Sequence, residues 1–353
     1  MIREQRLGDI LDAMPDRSVA VVGDFCLDRY LDIDPEIEDR SRETGRTVHQ
    51  VTDVRTYPGG GANVVNNLAG LGVGKVVPVG FVGADPAGLE LRKSFQTLEV
   101  PMDFLRRWPD RPTPVYLKPV IVRDGRPAEE LDRFDIFPRS PLSDEQQDQV
   151  VEDLRRAFVQ ADALVVADYA ERGKHGVVTA RVRRELADLA RTEPSKAVIA
   201  DSRLYVDKFR RMIVKPNAEE AMACLAKEPG AEPTMVRLIE IGRRTAERNQ
   251  RPLAITLGPG GVLLCAADRA RKIPAYPVDE GGETNPVGAG DTTLAALAAS
   301  LAAGATLEEA AVLAVIAASL TVEQAGHCGA PSANRLRRRF REYAERHPDV
   351  VGG

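Results

Sequence analysis

Short apolar runs, each followed by glycine or a polar residue, limit what this chain can fold into more than any other feature. The first run covers residues 18–22 and is followed by Gly23 and Asp24. Unbroken apolar runs of this length are typical of parallel strands, because both faces of a parallel sheet are covered. The pattern recurs at residues 76–82, 163–168, 197–201, 212–214 and 253–257. The chain therefore predicts a mostly parallel central sheet.

Helical patterns lie between several of these runs, at about residues 61–72, 86–98, 143–160, 175–192 and 216–226. Ser143 and Gln146 form a capping-box pattern at one helix start, and Pro86 marks another. After Asp291 the pattern is helical to about residue 345, with helices expected at about 290–303 and 307–325. Strands that alternate with such helices predict βαβ units and an α/β fold with both sheet faces covered.

Two segments, residues 30–57 and about 101–138, interrupt this alternation. Both lack helical periodicity and are rich in Val, Thr, Tyr and Pro. They predict a small antiparallel sheet that projects from the main sheet as a lid. The chain shows neither an internal repeat nor a low-complexity linker, so we expect residues 1–353 to form a single domain.

Composition limits the classes of partner. The 353 residues include 48 Lys and Arg against 53 Asp and Glu, without the concentrated basic face typical of nucleic-acid binding. The longest apolar stretch, residues 294–303, is too short to span a bilayer. Four cysteines lie far apart without a CxxC pair, which is typical of reduced thiols in the cytoplasm. We expect a cytoplasmic enzyme with no nucleic-acid or membrane partner.

The segment Gly288-Ala289-Gly290-Asp291, at the start of an Ala- and Leu-rich helix, is the strongest sign of chemistry. Small residues let a ligand approach the backbone closely, and the N–H groups of a helix start can bind an anion. A carboxylate beside them suits phosphoryl transfer, in which Asp291 accepts the proton of the acceptor hydroxyl. Alternatively, the segment is a glycine-rich turn in which Asp291 caps the helix.

Polar residues near the ends of the predicted strands form a second group of candidates. Ligands of open α/β sheets bind at these strand ends, where Asp28, Asp168 and Asp201 lie. Asp28 could bind a pair of sugar hydroxyls, or it could be a surface-loop residue. The segment Pro58-Gly59-Gly60-Gly61-Ala62-Asn63 opens a helix, where Asn63 could bind sugar hydroxyls or cap the helix.

Two motifs suit a nucleotide and its metal ion. Asn217 and Glu220 share a face of an opening helix and could organise hydrated Mg²⁺, although a helix start explains the same pattern. The turn from Thr256 through Gly258 to Gly261 could bend around a nucleotide. The chain lacks a P-loop, the protein-kinase HRD and DFG motifs, and a GxGxxG after the first strand. Its four histidines show no metal-ligand spacing.

In this order, the Gly59-Gly60 pair, the Asn217-x-x-Glu220 motif and the Gly288–Asp291 motif resemble the three markers of the ribokinase-like, or PfkB, family of carbohydrate kinases. The resemblance runs from Val19 to about Ser332. Within the family, Asp168-Tyr169-Ala170 and Lys215-Pro216-Asn217 resemble the kinase domain of bifunctional heptose kinase/ADP-heptose synthases. The family implies a three-layer α/β/α fold with a lid, and an ATP-dependent kinase that phosphorylates a sugar or sugar phosphate.

The resemblance also implies a role for each matching residue. Asp291 would be the general base, and the backbone of Gly288, Ala289 and Gly290 would form the anion hole. The substrate-binding residues would be Asp28, Gly59, Gly60, Asn63 and Asp168. The residues near ATP would be Asn217, Glu220, Thr256, Gly258 and Gly261, with Glu220 acting on Mg²⁺ through water. The lid of relatives often forms a dimer contact, so we expect a homodimer through the lid strands.

Departures from the family leave the substrate open. Asn285-Pro286-Val287 replaces the triplet that contributes to the family's monovalent-cation site, which argues against K⁺ activation. Arg203 stands outside the heptose-type pattern but could bind the phosphate of a phosphorylated acceptor. A nucleoside kinase and a catalytically silent sugar- or nucleotide-binding regulator are the alternatives. The low aromatic content, 5%, disfavours the first, and the retained Asp291 and Glu220 disfavour the second.

Overall fold

Two β-sheets form the framework of the protein. The computed structural model describes residues 2–123, 126–170, 175–278, 284–323 and 331–351. The strands within these ranges are β1 (Ser18–Gly23), β2 (Phe25–Arg40), β3 (Thr47–Gly60), β4 (Lys75–Gly83), β5 (Leu105–Trp108), β6 (Val115–Arg123), β7 (Arg126–Glu130), β8 (Phe134–Ile136), β9 (Ala163–Asp168), β10 (Ala197–Ser202), β11 (Ile213–Val214), β12 (Leu253–Thr256), β13 (Val262–Cys265) and β14 (Ala270–Ile273).

The large sheet has the strand order β14-β13-β12-β11-β10-β9-β1-β4-β5. Its strands from β12 to β5 pair in parallel, whereas β13 and β14 add an antiparallel edge. The prediction of a mostly parallel central sheet is confirmed. Successive side chains of β1 point into different cores, because Val19 and Val21 belong to one apolar cluster while Ala20 and Val22 belong to the other.

Helices cover both faces of the large sheet. They are α1 (Glu4–Ala13), α2 (Gly61–Gly70), α3 (Pro86–Thr97), α4 (Asp144–Gln160), α5 (Ala180–Thr192), α6 (Ala218–Glu220), α7 (Met235–Asn249), α8 (Ala289–Ala302), α9 (Leu307–Val322) and α10 (Ala333–Arg346). A π-helical turn, Ala221–Ala226, follows α6. Helices α4, α5 and α7 pack on one face, and α1, α2, α3, α8, α9 and α10 pack on the other. In the described ranges no helix is long and apolar enough to cross a bilayer.

Helix α7 was not predicted from the sequence. Only two of its six buried positions carry a large apolar side chain; the six are Leu238, Ile241, Gly242, Thr245, Ala246 and Asn249. A Cβ on Gly242 would lie 2.4 Å from the sulfur of Cys265, which shows that the helix packs directly onto β13. Close packing on a glycine therefore weakened the apolar periodicity that would have marked this helix.

The strands of the predicted lid form a second, smaller sheet, which is called the lid below. Its strand order is β3-β2-β6-β7, and β8 pairs with the first part of β6. The expected lid boundaries, residues 30–57 and 101–138, are wrong in part, because β5 pairs with β4 at the edge of the large sheet. The lid strands β2 and β3 also extend further than expected, from Phe25 and to Gly60.

Candidate active site

A cavity of about 300 Å³ lies between the lid and the edge of the large sheet. This edge carries the carboxyl ends of the parallel strands, as expected for ligand sites in open α/β sheets. The structure brings ten of the residues singled out in the sequence to the cavity wall: Asp28, Gly60, Asp201, Arg203, Asn217, Glu220, Thr256, Gly288, Gly290 and Asp291. The cavity also has lining residues to which the sequence assigned no site role: Tyr116, Lys118, Arg133, Tyr169, Lys215 and Val287.

Asp291 lies in the first turn of α8. Gly288 precedes the helix with φ 84°, a left-handed conformation that favours glycine. The first helical hydrogen bond runs from the Thr292 N–H to the Gly288 carbonyl, so the helix itself offers no acceptor to the N–H groups of Gly290 and Asp291. The helix start therefore presents both a carboxylate and backbone donors at one end of the cavity.

One of the three backbone donors predicted for the anion hole, the Ala289 N–H, has a partner within the protein. The Ala289 N–H donates to the Pro286 carbonyl at 3.2 Å, and Ala289 does not line the cavity. Gly290 is exposed, and the Lys215 ammonium lies 4.0 Å from its would-be Cβ; among the described residues no heavy atom outside the helix lies closer. The groups that face an incoming anion here are thus the Gly290 and Asp291 N–H groups and the Lys215 side chain.

The Asn63 side chain contacts Asp291 and does not line the cavity. Its side chain is buried, and its Nδ2 donates to Asp291 Oδ2 at 2.8 Å. Asn67 Nδ2 donates to Asn63 Oδ1 at 3.1 Å, and the Thr292 hydroxyl donates to Asn67 Oδ1 at 2.8 Å. The expectation that Asn63 binds sugar hydroxyls is therefore corrected, because both ends of its amide are occupied by this chain between α2 and α8.

A second network reaches Asp291 from the other side. Lys215 Nζ lies 2.8 Å from Asp201 Oδ2, and the Tyr169 hydroxyl donates to the same oxygen at 3.0 Å. All three side chains are largely buried and line the cavity. Burial lowers the pKa of Lys215, but the carboxylates of Asp201, Glu220 and Asp291 raise it, and the pKa is raised overall. Lys215 is therefore charged next to the helix start.

Burial raises the pKa of Asp291 to about 6. The hydrogen bond from Asn63 lowers this pKa, the negative charge of Asp201 raises it, and the Tyr169 hydroxyl and the Lys215 charge lower it. A carboxylate that titrates close to neutral pH is both ionised in the cell and able to accept a proton, which is the property required of a general base.

The lid contributes charge to the opposite wall. Asp28 on β2 lies 3.2 Å from Lys118 Nζ on β6, and Lys118 also donates to the Tyr30 hydroxyl at 3.3 Å. A Cβ on Gly59 would lie 3.0 Å from Asp28 Oδ2, so the glycine leaves room for this carboxylate, although Gly59 itself does not line the cavity. Gly60 adopts φ +54° and does line it.

The Asn217 motif serves as a helix start and also faces the cavity. Asn217 Oδ1 accepts from the Glu220 N–H at 2.7 Å, and Glu220 Oε2 accepts from the Asn217 N–H at 2.8 Å. Burial and the charge of Asp201 raise the pKa of Glu220. Thr256 adjoins this motif through a parallel bridge to Asn217. The described residues contain no cluster of three or more His, Cys, Asp or Glu that could hold a metal ion by themselves.

Besides Gly59, Asn63 and Ala289, three further predicted residues lie away from the cavity wall. Asp168 is buried and accepts from the Ser202 hydroxyl at 2.7 Å, so its expected contact with substrate is corrected. Gly258 has φ +56° in an open turn. Gly261 has φ +94°, and a Cβ there would lie 2.1 Å from the Ile273 carbonyl oxygen. The last glycine is thus required by the approach of β14, and neither turn glycine lines the cavity.

The fold is that of solved sugar kinases. Ribokinase of Arabidopsis thaliana, complexed with ribose and ATP, matches with a TM-score of 0.68 and 19% identity over 92% of this chain and 98% of that one. Phosphofructokinase-2 of Escherichia coli, in complex with fructose-6-phosphate, matches with a TM-score of 0.67 and 19% identity over 92% and 99%. At this identity the likeness shows the fold, which is the predicted ribokinase-like α/β architecture.

The sequence identifies the family. The family model described as pfkB family carbohydrate kinase matches residues 16–333, so the chain belongs to the pfkB family of carbohydrate kinases. Bifunctional protein HldE of Bradyrhizobium sp. (strain ORS 278) is 28% identical over 96% of this chain and 66% of that protein. HldE of Salmonella dublin is 32% identical over 90% and 62%. The chain thus spans somewhat less than two thirds of the length of these relatives.

Proposed function

We propose that this carbohydrate kinase transfers the γ-phosphoryl group of ATP to a hydroxyl of a sugar or sugar phosphate, with Asp291 as the general base. The observation that carries the proposal is the placement of Asp291 at the cavity wall, beside the first-turn N–H groups of α8 and with a pKa of about 6. The N–H groups and Lys215 stabilise the negative charge of the transferring group, while Asp291 takes the proton of the acceptor.

The acceptor lies under the lid in this proposal. Asp28 and Gly60 face the cavity on the lid side, where a carboxylate can hold a pair of sugar hydroxyls. Lys118, Arg133 and Arg203 line the same cavity and suit an acidic group on the acceptor. The ribose and the fructose-6-phosphate bound in the two structural relatives are acceptors of these two kinds, a free sugar and a sugar phosphate.

The nucleotide lies on the other side of Asp291, toward Asn217, Glu220 and Thr256. The ATP bound in the Arabidopsis ribokinase structure supports ATP as the nucleotide. Mg²⁺ fits the donor set, because it keeps several waters and needs few protein oxygens, and Glu220 offers a carboxylate at the cavity wall. Glu220 would act on the ion through water, and the Gly258–Gly261 turn would lie beside the nucleotide. When bound, Mg²⁺ neutralises charge on the phosphates.

The first experiment is a screen of Mg·ATP consumption across sugars, sugar phosphates and nucleosides. With the acceptor so identified, Asp291→Asn should lose at least ~10²-fold in kcat while the Kd for ATP changes little, because only proton transfer is removed. Asp188→Asn, an exposed position on α5, is the matched control and should retain full turnover. Near wild-type kcat in Asp291→Asn, or turnover with nucleosides alone, would contradict the proposal.

The lid surface supports a homodimer. It exposes large apolar side chains on its strands: Ile37, Val48, Val51, Val54, Phe134 and Ile136. Exposed apolar side chains on unpaired edges are normally covered by another strand or subunit. A second copy of this chain, packed lid against lid, would cover them and would close the acceptor side of the cavity.

A further inference from the structure

Asn67 lies one helical turn beyond Asn63 on α2, and the proposed function gives it no role. Resting on that proposed function, we propose that Asn67 is a positioning residue for the base. It fixes the orientation of the Asn63 amide, so that the NH2 group and not the oxygen faces the Asp291 carboxylate. Asn63 can then only donate a hydrogen bond to Asp291, which favours the ionised carboxylate that the proposed reaction requires.

An asparagine side chain fits its site in two orientations. Its amide has an NH2 group with two donors at one end and an oxygen that accepts at the other, in nearly the same volume. With its NH2 group toward Asp291, Asn63 stabilises the carboxylate. With its oxygen toward Asp291, it would repel the carboxylate and accept a hydrogen bond from the protonated carboxyl group. The orientation therefore decides which form of Asp291 is favoured.

The hydrogen bonds of α2 hold the first orientation. Asn63 Nδ2 donates to Asp291 Oδ2 at 2.8 Å, while Asn63 Oδ1 accepts from Asn67 Nδ2 at 3.1 Å. Asn67 Nδ2 also donates to the backbone carbonyl of Asn63 at 2.8 Å. A backbone carbonyl can accept but cannot donate, so it keeps the NH2 group of Asn67 on this side. The Asn63 oxygen must then face Asn67, and the Asn63 NH2 group must face Asp291.

The other end of the Asn67 amide also has a partner. Its Oδ1 accepts from the Thr292 hydroxyl at 2.8 Å, and that hydroxyl lies 3.0 Å from the Thr321 hydroxyl. A hydroxyl can rotate to donate or to accept, so Thr292 adapts to the Asn67 amide and does not determine its orientation. Asn63, Asn67 and Thr292 are all buried, so a reversed amide would leave polar groups without partners, which is costly.

Loss of the Asn67 donor would release the Asn63 amide. While Asp291 is ionised, the Asn63 NH2 group still faces it. When Asp291 is protonated, the released amide can turn and accept the carboxyl proton, which stabilises the protonated form. The pKa of Asp291 should therefore rise above its value of about 6, by about 0.5 to 1 unit for one hydrogen bond.

The titratable and charged groups around Asp291 lie on other elements. Those that interact with it are Cys26 on β2, Tyr169 after β9, Asp201 on β10 and Lys215 after β11. The remaining charged residues of the cavity wall are Asp28, Lys118, Arg133, Arg203 and Glu220. In the described part of the chain, the Asn67 side chain forms hydrogen bonds with Asn63 and Thr292 and with none of these groups. A substitution of Asn67 therefore leaves their hydrogen bonds in place.

The test titrates Asp291 in the free protein and needs neither nucleotide nor acceptor. In NMR spectra of protein labelled at the aspartate carboxyl carbons, the Asp291 signal is the one that is absent from Asp291→Asn. We expect a midpoint of about 6 in the wild type. In Asn67→Leu we expect the midpoint about 0.5 to 1 unit higher.

Asn67→Leu replaces the amide with an apolar side chain of similar size and leaves the Thr292 hydroxyl paired with Thr321. Asn67→Ala removes the same donor with a smaller side chain, so it provides a second variant if the first does not fold. Its midpoint should shift in the same direction. A wild-type midpoint in either folded variant would overturn the proposal.

Asn63→Ala separates orientation from a general change in packing. An apolar side chain at position 67 could raise the pKa of Asp291 by excluding water, and it would do so with or without Asn63. Orientation acts only through the Asn63 amide, so Asn67→Leu should leave the midpoint unchanged when Asn63→Ala is already present. A shift that persists in this double variant would overturn the proposal.

Thr292→Val is the matched control. It removes the other hydrogen bond of the Asn67 side chain with little change in shape, while the Asn63 carbonyl still holds the Asn67 NH2 group. Its shift should be less than about half that of Asn67→Leu. An equal or larger shift would overturn the proposal.

Turnover distinguishes this proposal from the proposed function. Once an acceptor is known, the acid limb of kcat/KM should move with the Asp291 midpoint in Asn67→Leu, because this parameter reports the free enzyme. An acid limb that does not follow the midpoint would overturn Asp291 as the base and leave the orientation of Asn63 standing. An unshifted midpoint overturns the orientation alone.

Discussion

The pH dependence of turnover directly tests the environment of Asp291, the proposed base. Asp291 titrates at about 6 in this structure, against an ordinary value of 3.8. The ionised fraction is then about 91% at pH 7 and about 9% at pH 5, so kcat/KM should fall about tenfold between these pH values. An aspartate with an ordinary pKa would lose less than about a tenth of its ionised form over the same range.

The assay is kcat/KM for Mg·ATP between pH 4.5 and 8 at a fixed low concentration of acceptor, because this parameter reports the titration of the free enzyme. ATP itself titrates in this range, so Asn63→Ala provides the discriminating comparison. The hydrogen bond from Asn63 lowers the pKa of Asp291, so its loss should move the acid limb of the pH profile to higher pH. A limb caused by the titration of ATP would stay at the same pH. An acid limb near pH 4, or the same midpoint in both proteins, would refute the assignment.

Two further outcomes are expected. Folding raises the pKa of Asp291, so the contribution of this carboxyl group to stability is present below pH ~4 and is lost as pH rises through about 6. Asp291→Asn should therefore raise the free energy of unfolding at pH 8, by at most about 3 kcal/mol. At pH 4 the same substitution should not raise it. Equal stabilisation at both pH values in denaturant titrations would contradict this. Val54→Lys on the lid should turn a dimer into a monomer in solution scattering, while Val159→Lys on α4 should not; a monomeric wild type at micromolar concentration would contradict the lid dimer.

The sequence predicted six strands of the large sheet and the helix that carries the proposed base, because these depend on local apolar pattern. The six are β1, β4, β9, β10, β11 and β12. The runs at β1, β9 and β10 are buried on both faces and carry a strong signal. The edge strand β5, Leu-Arg-Arg-Trp, is short and half polar, so its sequence could not be distinguished from the lid that follows. The boundary between the large sheet and the lid depends on which strands pair with each other. Such pairing joins segments that are distant in the sequence, so a local sequence pattern cannot reveal it.

The candidate site was predicted in its motifs and not in its connections. Asp291 and Glu220 lie in motifs whose spacing is local. Asn63 was assigned to the acceptor because its residue type fits a sugar, whereas the structure pairs it with a carboxylate 228 positions away. Tyr169 and Lys215 lay within recognised segments, yet their roles depend on Asp201, which a strand from another part of the chain carries. The position of Lys215 directly after a buried strand was the signal in the sequence that could have marked it as a site residue.

The lid strands leave the large sheet almost without a turn, since only Asp24 separates β1 from β2 and β3 ends where α2 begins. The groups proposed to act in phosphoryl transfer lie on the large sheet and its helices, and Lys118 and Arg133 lie on the projecting part of the chain. In the proposed arrangement, changes in the lid alone can fit the site to a different acceptor alcohol, while the residues that bind the nucleotide stay the same. Such a division of labour lets one scaffold diversify its substrates without rebuilding its chemistry.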